Sequence, residues 1–352
     1  LELPVVDGQI QVPSWRPDLN LMADIAEEVG RSYGYNEIPT TAFKNATQGG
    51  YSPVMMAESK AGQLCRSLGF SEIITYSFVS PTIFDNIRIP KDSALRNAMR
   101  IQNPLGEDTS IMRTIALPSM LDILARNYAY HNKNVKLYEL AKIYLPTEGQ
   151  ALPAEPKMLT LGTYGEGTSF FTLKGQLEAI LTGLRLPKAT FTAVKDNPSY
   201  HPGRCAAVSM NGELLGYMGQ VHPLVAKTYG LDTEVYCVEI DFSKAFTMML
   251  PEATFTPLPK YPAVTRDLSL LCDEATTIAE LTDVITAAGG KLLRRVDLFD
   301  IYRGKGVAEG KKSVAFSLVL RADDRTLTDA DSEGVTKKVL AALESKLGAT
   351  LR

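Results

Sequence analysis

The sequence predicts an α+β fold in more than one domain, and three observations support this prediction. The chain has 352 residues, whereas one compact domain holds roughly 150. Helical apolar patterns and strand-like runs alternate from residue 51 to residue 250. Asn211 and Gly212 separate two strand-like runs, and both residues tolerate the positive φ angles of a tight hairpin turn. That turn predicts antiparallel pairing, and an antiparallel sheet with helices beside it is an α+β arrangement.

The central stretch of the chain contains the material for this sheet and its helices. Helical spacing of apolar residues covers Met56 to Gly69, Pro118 to Tyr130 and Leu173 to Leu184. The strand-like runs rich in β-branched and aromatic residues are EIITYSFV, NVKLYELAKIYL, KMLTLGTY and VYCVEIDF. We therefore predict one antiparallel sheet module over residues 41–254.

Two connectors divide this module from its neighbours. Before it, apolar residues recur at helical spacing from Leu19 to Tyr35, and the polar stretch that follows contains Gly49 and Gly50. After it, the connector PEATFTPLPKYP contains four prolines, which interrupt helices and central strands. The predicted domains are 1–40, which ends in the helix, then 41–254 and 255–352.

The last domain shows the order strand, helix, strand, strand, helix, strand. Thr277 and Glu280 form a capping box, which predicts where its first helix begins. The run GKGVAEG misses the dinucleotide-binding spacing by one residue and precedes a strand, so it predicts a hairpin loop. This βαββαβ order is that of the ferredoxin-like fold.

Composition excludes several classes of protein. With 45% hydrophobic and 22% charged residues the chain has enough apolar material for folded cores, and a net charge of -3 provides no global attraction to nucleic acid. No apolar run reaches the roughly 20 residues of a membrane span, and the first residues lack a signal-peptide pattern. The sequence therefore predicts a cytoplasmic protein without membrane association. Because the chain begins without methionine, we expect a piece of a longer protein.

The helix near the N-terminus carries a cluster of acidic residues. Asp24, Glu27 and Glu28 are spaced i, i+3 and i+4, so they project from one helix face, and Asp18 lies at the helix entrance. Four neighbouring carboxylates repel one another unless a cation such as magnesium neutralises them. A solvated acidic face that suits the helix dipole is the alternative, and spacing alone leaves both interpretations open.

The C-terminal domain has 8 Lys and 7 Arg against 9 Asp and 5 Glu, so RNA binding there depends on how charge is arranged. Basic residues at strand ends and in the hairpin loop could meet phosphates, and Phe299 and Tyr302 could stack on bases. Solvated strand ends and core aromatic residues are the alternative. The candidate phosphate contacts are Lys260, Arg266, Arg303, Lys305, Arg321 and Arg325.

Three stretches of the chain, in the same order, resemble the C-terminal part of the beta subunit of bacterial phenylalanyl-tRNA synthetase. The first is VPSWRPDLNLMADIAEEVGRSYGYNEIP, and the second is NPLGEDTSIMRTIALPSMLDILARN together with GFSEIITYSFVSP. The third is YPAVTRDLSLLCD together with DLFDIYRGKGVAEGKKSVAFSLVLRADDRTLTDAD. The resemblance covers nearly the whole chain.

The resemblance implies a class II synthetase-like antiparallel module without catalytic residues, followed by a ferredoxin-like anticodon-binding domain and preceded by the helical tail of another small domain. It implies magnesium as cofactor, held by Asp18, Asp24, Glu27 and Glu28. It also implies an alpha subunit as partner, with two alpha and two beta chains, and tRNA(Phe) as ligand of the holoenzyme, which aminoacylates this tRNA with ATP. The fragment alone is expected to be inactive, because NVKLYELAKIYL and VYCVEIDFSKAF lack the arginines that hold ATP phosphates in class II sites.

Two other functions remain to be weighed against this one. A free-standing RNA-binding or scaffold protein could reuse the same domains without an alpha subunit. A metal-dependent hydrolase built on the acidic helix has little support, because no nucleophile, lysine or histidine is patterned with those carboxylates. His201 and His222 each precede a proline in a turn, which is typical of structural histidines.

Overall fold

The computed structural model describes residues 1–45 and 47–352. The chain forms two compact units, Leu1–Pro251 and Glu252–Arg352. Within the described part of the chain, no helix combines the length and the apolar composition that a membrane crossing requires. The four cysteines are buried free thiols.

The first unit opens with a short hairpin and one helix. Strands β1 (Val5–Val6) and β2 (Gln9–Ile10) pair across Asp7 and Gly8, which both adopt positive φ angles. Helix α1 spans Met22–Tyr33 and ends at Gly34, whose φ of 105° lies in a region that favours glycine. The predicted helix is therefore confirmed.

Helix α1 exposes several residues of its apolar pattern. Val29 and Tyr33, two residues of the apolar pattern, are 60% and 67% exposed, and Met22 is 77% exposed. Glu28, in contrast, is buried. The helix thus turns an apolar stripe outward. Glu28 can be buried because arginines of the same segment neutralise it.

A seven-stranded sheet forms the centre of the first unit, in the order β3-β6-β7-β11-β10-β9-β8. The pair β3·β6 is parallel and the other neighbours are antiparallel. The strands are β3 (Ser71–Glu72), β6 (Val135–Lys142), β7 (Lys157–Tyr164), β8 (Thr190–Ala193), β9 (Tyr200–Met210), β10 (Glu213–Val221) and β11 (Val235–Asp241).

The hairpin predicted at Asn211 and Gly212 is present. Their φ angles are 52° and 82°, and Met210 pairs with Glu213 across the turn. The run EIITYSFV, by contrast, does not form one strand. Only its ends belong to strands, and β4 (Phe78–Val79) pairs with β5 (Ile111–Met112) in a separate two-stranded sheet.

Helices cover both faces of the central sheet. Apolar residues of α2 and α5 form one core with the sheet, and those of α4 form the other. Strand β11 lies between the two cores, so Tyr236 and Val238 face one and Val235 and Cys237 face the other. The helices of this unit after α1 are α2 (Pro53–Ser67), α3 (Ile83–Asn86), α4 (Leu117–Ala129), α5 (Phe170–Gly183), α6 (Pro223–Thr228) and α7 (Phe242–Thr247).

The second unit has the predicted ferredoxin-like βαββαβ order, with a sheet ordered β13-β14-β12-β15. Thr277 and Glu280 form the predicted capping box, and a second one joins Thr328 and Asp331. Both helices pack on one face of the sheet and leave the other open. The elements are β12 (Val264–Asp273), α8 (Ile278–Gly289), β13 (Leu293–Tyr302), β14 (Lys311–Leu320), α9 (Asp329–Leu347) and β15 (Thr350–Leu351).

Candidate functional site

Arginines engage two of the four carboxylates of the acidic helix. Arg16 Nη2 lies 2.7 Å from Asp18 Oδ2 and 2.8 Å from Glu28 Oε1, and Arg31 Nη2 lies 2.6 Å from Glu28 Oε2. Hydrogen bonds from Arg16, and then from Arg31, lower the pKa of Glu28 to about 2. The hydrogen bond from Arg16 also lowers the pKa of Asp18. Both carboxylates are therefore ionised and neutralised within the segment.

The other two carboxylates have different surroundings. Asp24 Oδ2 accepts hydrogen bonds from the backbone N–H groups of Asn20 and Leu21 at 2.8 and 2.7 Å, so it caps the start of α1. Glu27 is exposed to solvent. Three of the four carboxylates are thus occupied by arginines or by backbone donors.

This arrangement does not fit a preformed magnesium site. Among the described residues, no group of three or more acidic, histidine or cysteine side chains is placed to hold a metal ion. Magnesium prefers nearly octahedral oxygen ligands, whereas Asp18 and Glu28 direct their oxygens at guanidinium groups. The set Asp18, Asp24, Glu27 and Glu28 stays a prediction, and binding there requires the arginines to move.

A cavity of about 470 Å³ lies in the first unit beside the N-terminal end of α4. Leu117, Ile143 and Met158 contribute to its largely apolar wall, and Glu239 and Asp241 provide two carboxylates. Within the described residues, no lysine, arginine or histidine lines it. A nucleotide phosphate would therefore meet carboxylates and no cation, which makes the cavity unsuited to ATP.

One buried arginine does lie near this region, but its donors are occupied. Arg113, which is 2% exposed, donates from Nε to the Lys142 carbonyl oxygen at 2.8 Å and from Nη1 to Thr75 Oγ1 at 2.6 Å. Its Nη2 lies 3.6 Å from the buried carboxylate of Glu139, which also accepts a hydrogen bond from the Thr75 N–H. This group holds β5, β6 and the loop after β3 together, so Arg113 serves the fold.

The two histidines that precede prolines have structural partners, although His201 lies in β9 and not in the predicted turn. His201 Nδ1 accepts a hydrogen bond from the Gly203 N–H at 3.0 Å, and His222 Nδ1 accepts one from the Leu224 N–H at the start of α6. Burial and the nearby Arg88 guanidinium lower the pKa of His222, which keeps its ring neutral. These contacts support the structural role that the sequence predicts.

In the second unit the structure divides the six predicted phosphate contacts between opposite ends of the sheet. Arg303 and Lys305 lie where β13 leads into β14. Four residues lie at the other end, where β12 starts and β14 ends, about 30 Å away along ten-residue strands. Those four are Lys260, Arg266, Arg321 and Arg325. The six residues do not share one end of the sheet, because antiparallel strands send successive connections to alternating ends.

Three of the candidate arginines form ion pairs. Arg303 Nη2 lies 2.7 Å from Glu274 Oε1, and Arg266 Nη2 lies 2.8 Å from Asp329 Oδ1. Arg325 Nη2 lies 3.1 Å from Asp331 Oδ1. A phosphate that contacts one of these arginines would have to displace its carboxylate partner. Exposed ion pairs of this kind are weak enough for such an exchange.

The aromatic candidates lie at the hairpin end of the domain. Tyr302 ends β13 opposite Ser313, and its hydroxyl donates to the Lys305 carbonyl oxygen. The Arg352 guanidinium lies 5.4 Å from the Tyr302 ring centroid. No sequence signal indicates this contact, because Arg352 is remote from Tyr302 along the chain. Phe299 lies at an irregularity in the strand and is 59% exposed. Phe299 is thus open to a ligand, whereas Arg352 covers one face of the Tyr302 ring.

Models of known protein families match most of the chain. The family model of the phenylalanyl-tRNA synthetase beta chain CLM domain matches residues 38–242. The chain belongs to this family. A ferredoxin-fold anticodon-binding domain model matches residues 259–352, and a tRNA synthetase B5 domain model matches residues 7–35.

Similar curated proteins are beta subunits of phenylalanine–tRNA ligase. The one from Clostridium acetobutylicum is 42% identical over 342 residues, which are 97% of this chain and 43% of that protein. The one from Clostridium tetani is also 42% identical, over 97% of this chain and 44% of that protein. This member of the CLM family therefore spans less than half the length of these relatives. Among solved structures, pyrrolysyl-tRNA synthetase from Desulfitobacterium hafniense aligns with 62% of this chain and 73% of its own, at 12% identity and a TM-score of 0.45.

Proposed function

We propose that this chain is the noncatalytic C-terminal portion of the beta subunit of phenylalanine–tRNA ligase. It supports an alpha subunit and binds the anticodon region of tRNA(Phe) during ATP-dependent aminoacylation in the cytoplasm. The observation that carries the proposal is the succession of three matching domain models, B5, CLM and anticodon-binding, along one chain. The beta-subunit relatives match over the same length.

We expect no catalysis by this chain alone, and the lining of the cavity beside α4 supports this expectation. Phosphoryl chemistry requires cationic donors at the developing charge, and no basic residue among those described lines the cavity. We expect the purified chain to show no phenylalanine-dependent exchange of pyrophosphate with ATP. Exchange at a rate above that of a heat-denatured sample would contradict the proposal.

The apolar stripe on α1 supports a protein partner. Met22, Val29 and Tyr33 are spaced so that they share one helix face, and all three are exposed. Stable interfaces bury such apolar groups, so we propose that an alpha subunit covers this stripe in an assembly of two alpha and two beta chains.

Co-purification with a bacterial phenylalanyl-tRNA synthetase alpha subunit tests this proposal. Val29→Lys should reduce recovery of the complex, because it places a charge in the stripe, whereas Gln63→Lys adds the same charge to an exposed position on α2 and should not. If the unmodified folded chain fails to associate, a free-standing RNA-binding or scaffold function becomes the better account. If both variants associate equally well, the partner contacts another surface.

We further propose that one end of the C-terminal sheet contacts tRNA phosphates. Arg303→Ala and Arg325→Ala remove the same charge at opposite ends, so each is the control for the other. The variant at the contacting end should weaken tRNA binding by the assembled enzyme and reduce its salt dependence by about one unit of slope. Equal behaviour of both variants and the unmodified enzyme at two salt concentrations would place the RNA surface elsewhere.

The magnesium site stays part of the proposal in a restricted form. Since Arg16 and Arg31 occupy Asp18 and Glu28, magnesium can bind only if these ion pairs open. Substituting both Glu27 and Glu28 with glutamine should lower the metal content of the assembled enzyme. Unchanged metal content after dialysis would reject the site.

A further inference from the structure

The cavity beside α4 has the dimensions and lining of a small-molecule site. Its volume of about 470 Å³ falls in the usual range of such sites, roughly 300 to 1,000 Å³. Its wall combines side chains from the loops before α4 with residues of β7, β9 and β10, and most of these side chains are apolar. Leu214 is 45% exposed and lies at the rim. An apolar body of a few carbon atoms can therefore be desolvated in this space.

Two carboxylates are the charged side chains that line this cavity within the described residues. Glu239 and Asp241 are two positions apart on β11, so they project from the same face of the strand. Glu239 Oε1 accepts a hydrogen bond from the Ala116 N–H at 2.6 Å, and Asp241 Oδ1 accepts one from the Lys244 N–H at 2.8 Å. Within the described residues, Asp241 Oδ2 accepts no hydrogen bond. One carboxylate oxygen is thus available without breaking a protein contact.

The remaining polar groups restrict the ligand further. Among the described residues, no basic side chain lines the cavity. A ligand with a carboxylate or a phosphate is therefore disfavoured, because its charge would be buried without a partner. Tyr200 also lines the cavity, and its buried hydroxyl has no hydrogen-bond partner among the described residues. Burial raises the pKa of Tyr200 well above its ordinary value, so the hydroxyl stays neutral and can donate or accept.

We propose that this cavity binds a small molecule with an apolar body and a single primary ammonium group. The ammonium group lies against Asp241 and Glu239, and the apolar body lies against the aliphatic wall beside Leu117. A charge-assisted hydrogen bond to each carboxylate would supply the orientation. The lining of this cavity contains none of the residues proposed to contact tRNA or the alpha subunit. A failure of the function proposed above would therefore leave this proposal unaffected.

The competing explanation is that both carboxylates serve only the fold. Glu239 would then anchor the N-terminal end of α4, and Asp241 would cap α7. This explanation predicts no preference among ligands of one shape and different charge. The cavity therefore can be tested with three compounds that share a phenyl ring and a two-carbon arm: phenethylamine, phenethyl alcohol and hydrocinnamate.

Isothermal titration of the full 352-residue chain with each compound is the experiment. At about pH 8 Glu239 is ionised, because burial raises its pKa only to about 7. We expect phenethylamine to bind, the alcohol to bind at least about tenfold more weakly, and hydrocinnamate to give no heat of binding. Equal affinity for all three compounds, or no binding of the amine, would overturn the proposal.

Variants locate the binding. Asp241→Asn should weaken amine binding at least about tenfold, whereas Glu166→Gln, which removes an exposed charge, should not change it. Because Asp241→Asn also alters the cap of α7, Leu214→Trp provides a second test that fills the rim without touching a carboxylate. Unchanged affinity in Leu214→Trp would overturn the proposal, even if Asp241→Asn failed to fold.

Discussion

The carboxyl group of Glu239 should make folding stability depend on pH. Burial is the largest influence on this group and raises its pKa from 4.5 to about 7, against opposing hydrogen bonds from the Ala116 and Leu117 N–H groups. A raised folded-state pKa means that the folded chain keeps the proton up to a higher pH than the unfolded chain does. The resulting stability is fully present below about pH 4.5 and is lost as pH rises through about 7.

The size of this effect follows from the shift. Each unit of pKa difference corresponds to about 1.4 kcal/mol, so a shift from 4.5 to about 7 corresponds to about 3 kcal/mol. Glu239→Gln removes the titration and keeps the shape of the side chain. The difference in unfolding free energy between the two proteins should therefore change by about 3 kcal/mol as pH rises from below 4.5 to above about 7. Over this range the glutamine variant should become more stable relative to the unmodified chain.

Urea unfolding at several pH values measures this difference. Other titrating groups, including the histidines, are common to both proteins and cancel in the subtraction. Glu166→Gln is the control, because an exposed carboxylate should give a difference that does not vary over the same interval. A constant difference for Glu239→Gln would refute the argument, since it would mean that Glu239 titrates alike in the folded and unfolded chains.

Three further predictions follow from packing, charge and turn geometry. Gly162→Ala should destabilise the first unit by about 1 to 3 kcal/mol in urea unfolding, because the new Cβ would lie 2.7 Å from Met120 Cγ. Gly175→Ala is the control and should not destabilise this unit, because its new Cβ would have no neighbouring atom within 4 Å. Glu28→Gln should lower the thermal midpoint above pH 4.5, because the lowered pKa of Glu28 stabilises the fold only where its carboxylate is ionised. The difference in midpoint between the two proteins should vanish as pH falls toward about 2. A difference in midpoint that persists at the lowest pH would contradict this. Gly212→Val should lower stability by more than about 1 kcal/mol because a β-branched residue is strained at a φ of 82°, and an unchanged urea midpoint would contradict it.

Much of the fold could be predicted from the sequence, because its signals are local. The turn at Asn211 and Gly212 requires positive φ angles at two consecutive residues, and the structure has them. The capping box of Thr277 and Glu280 involves residues three positions apart, so no tertiary contact is needed to recognise it. The order of elements in the ferredoxin-like unit follows from the same kind of signal, read one element after another.

The candidate sites were less predictable, because they depend on partners remote in sequence. Helical spacing predicts that Asp24, Glu27 and Glu28 share one helix face. It does not show that Arg16, twelve residues before Glu28, turns the Glu28 side chain inward. A signal for the cavity does exist in the sequence. The run VYCVEIDF contains two acidic residues two positions apart in an otherwise apolar strand, which indicates two carboxylates on one buried face.

The sequence by itself determined which elements form and in what order, since capping, turn chemistry and apolar periodicity act over a few residues. Only the tertiary structure decided which charges share a surface. Arg303 and Arg325 lie at opposite ends of one sheet because strand direction reverses between them. Glu239 faces a cavity because β11 is placed between two cores, and its raised pKa comes from the water that this placement excludes. Electrostatic properties depend on distance and burial in space, which the order of residues along the chain does not specify.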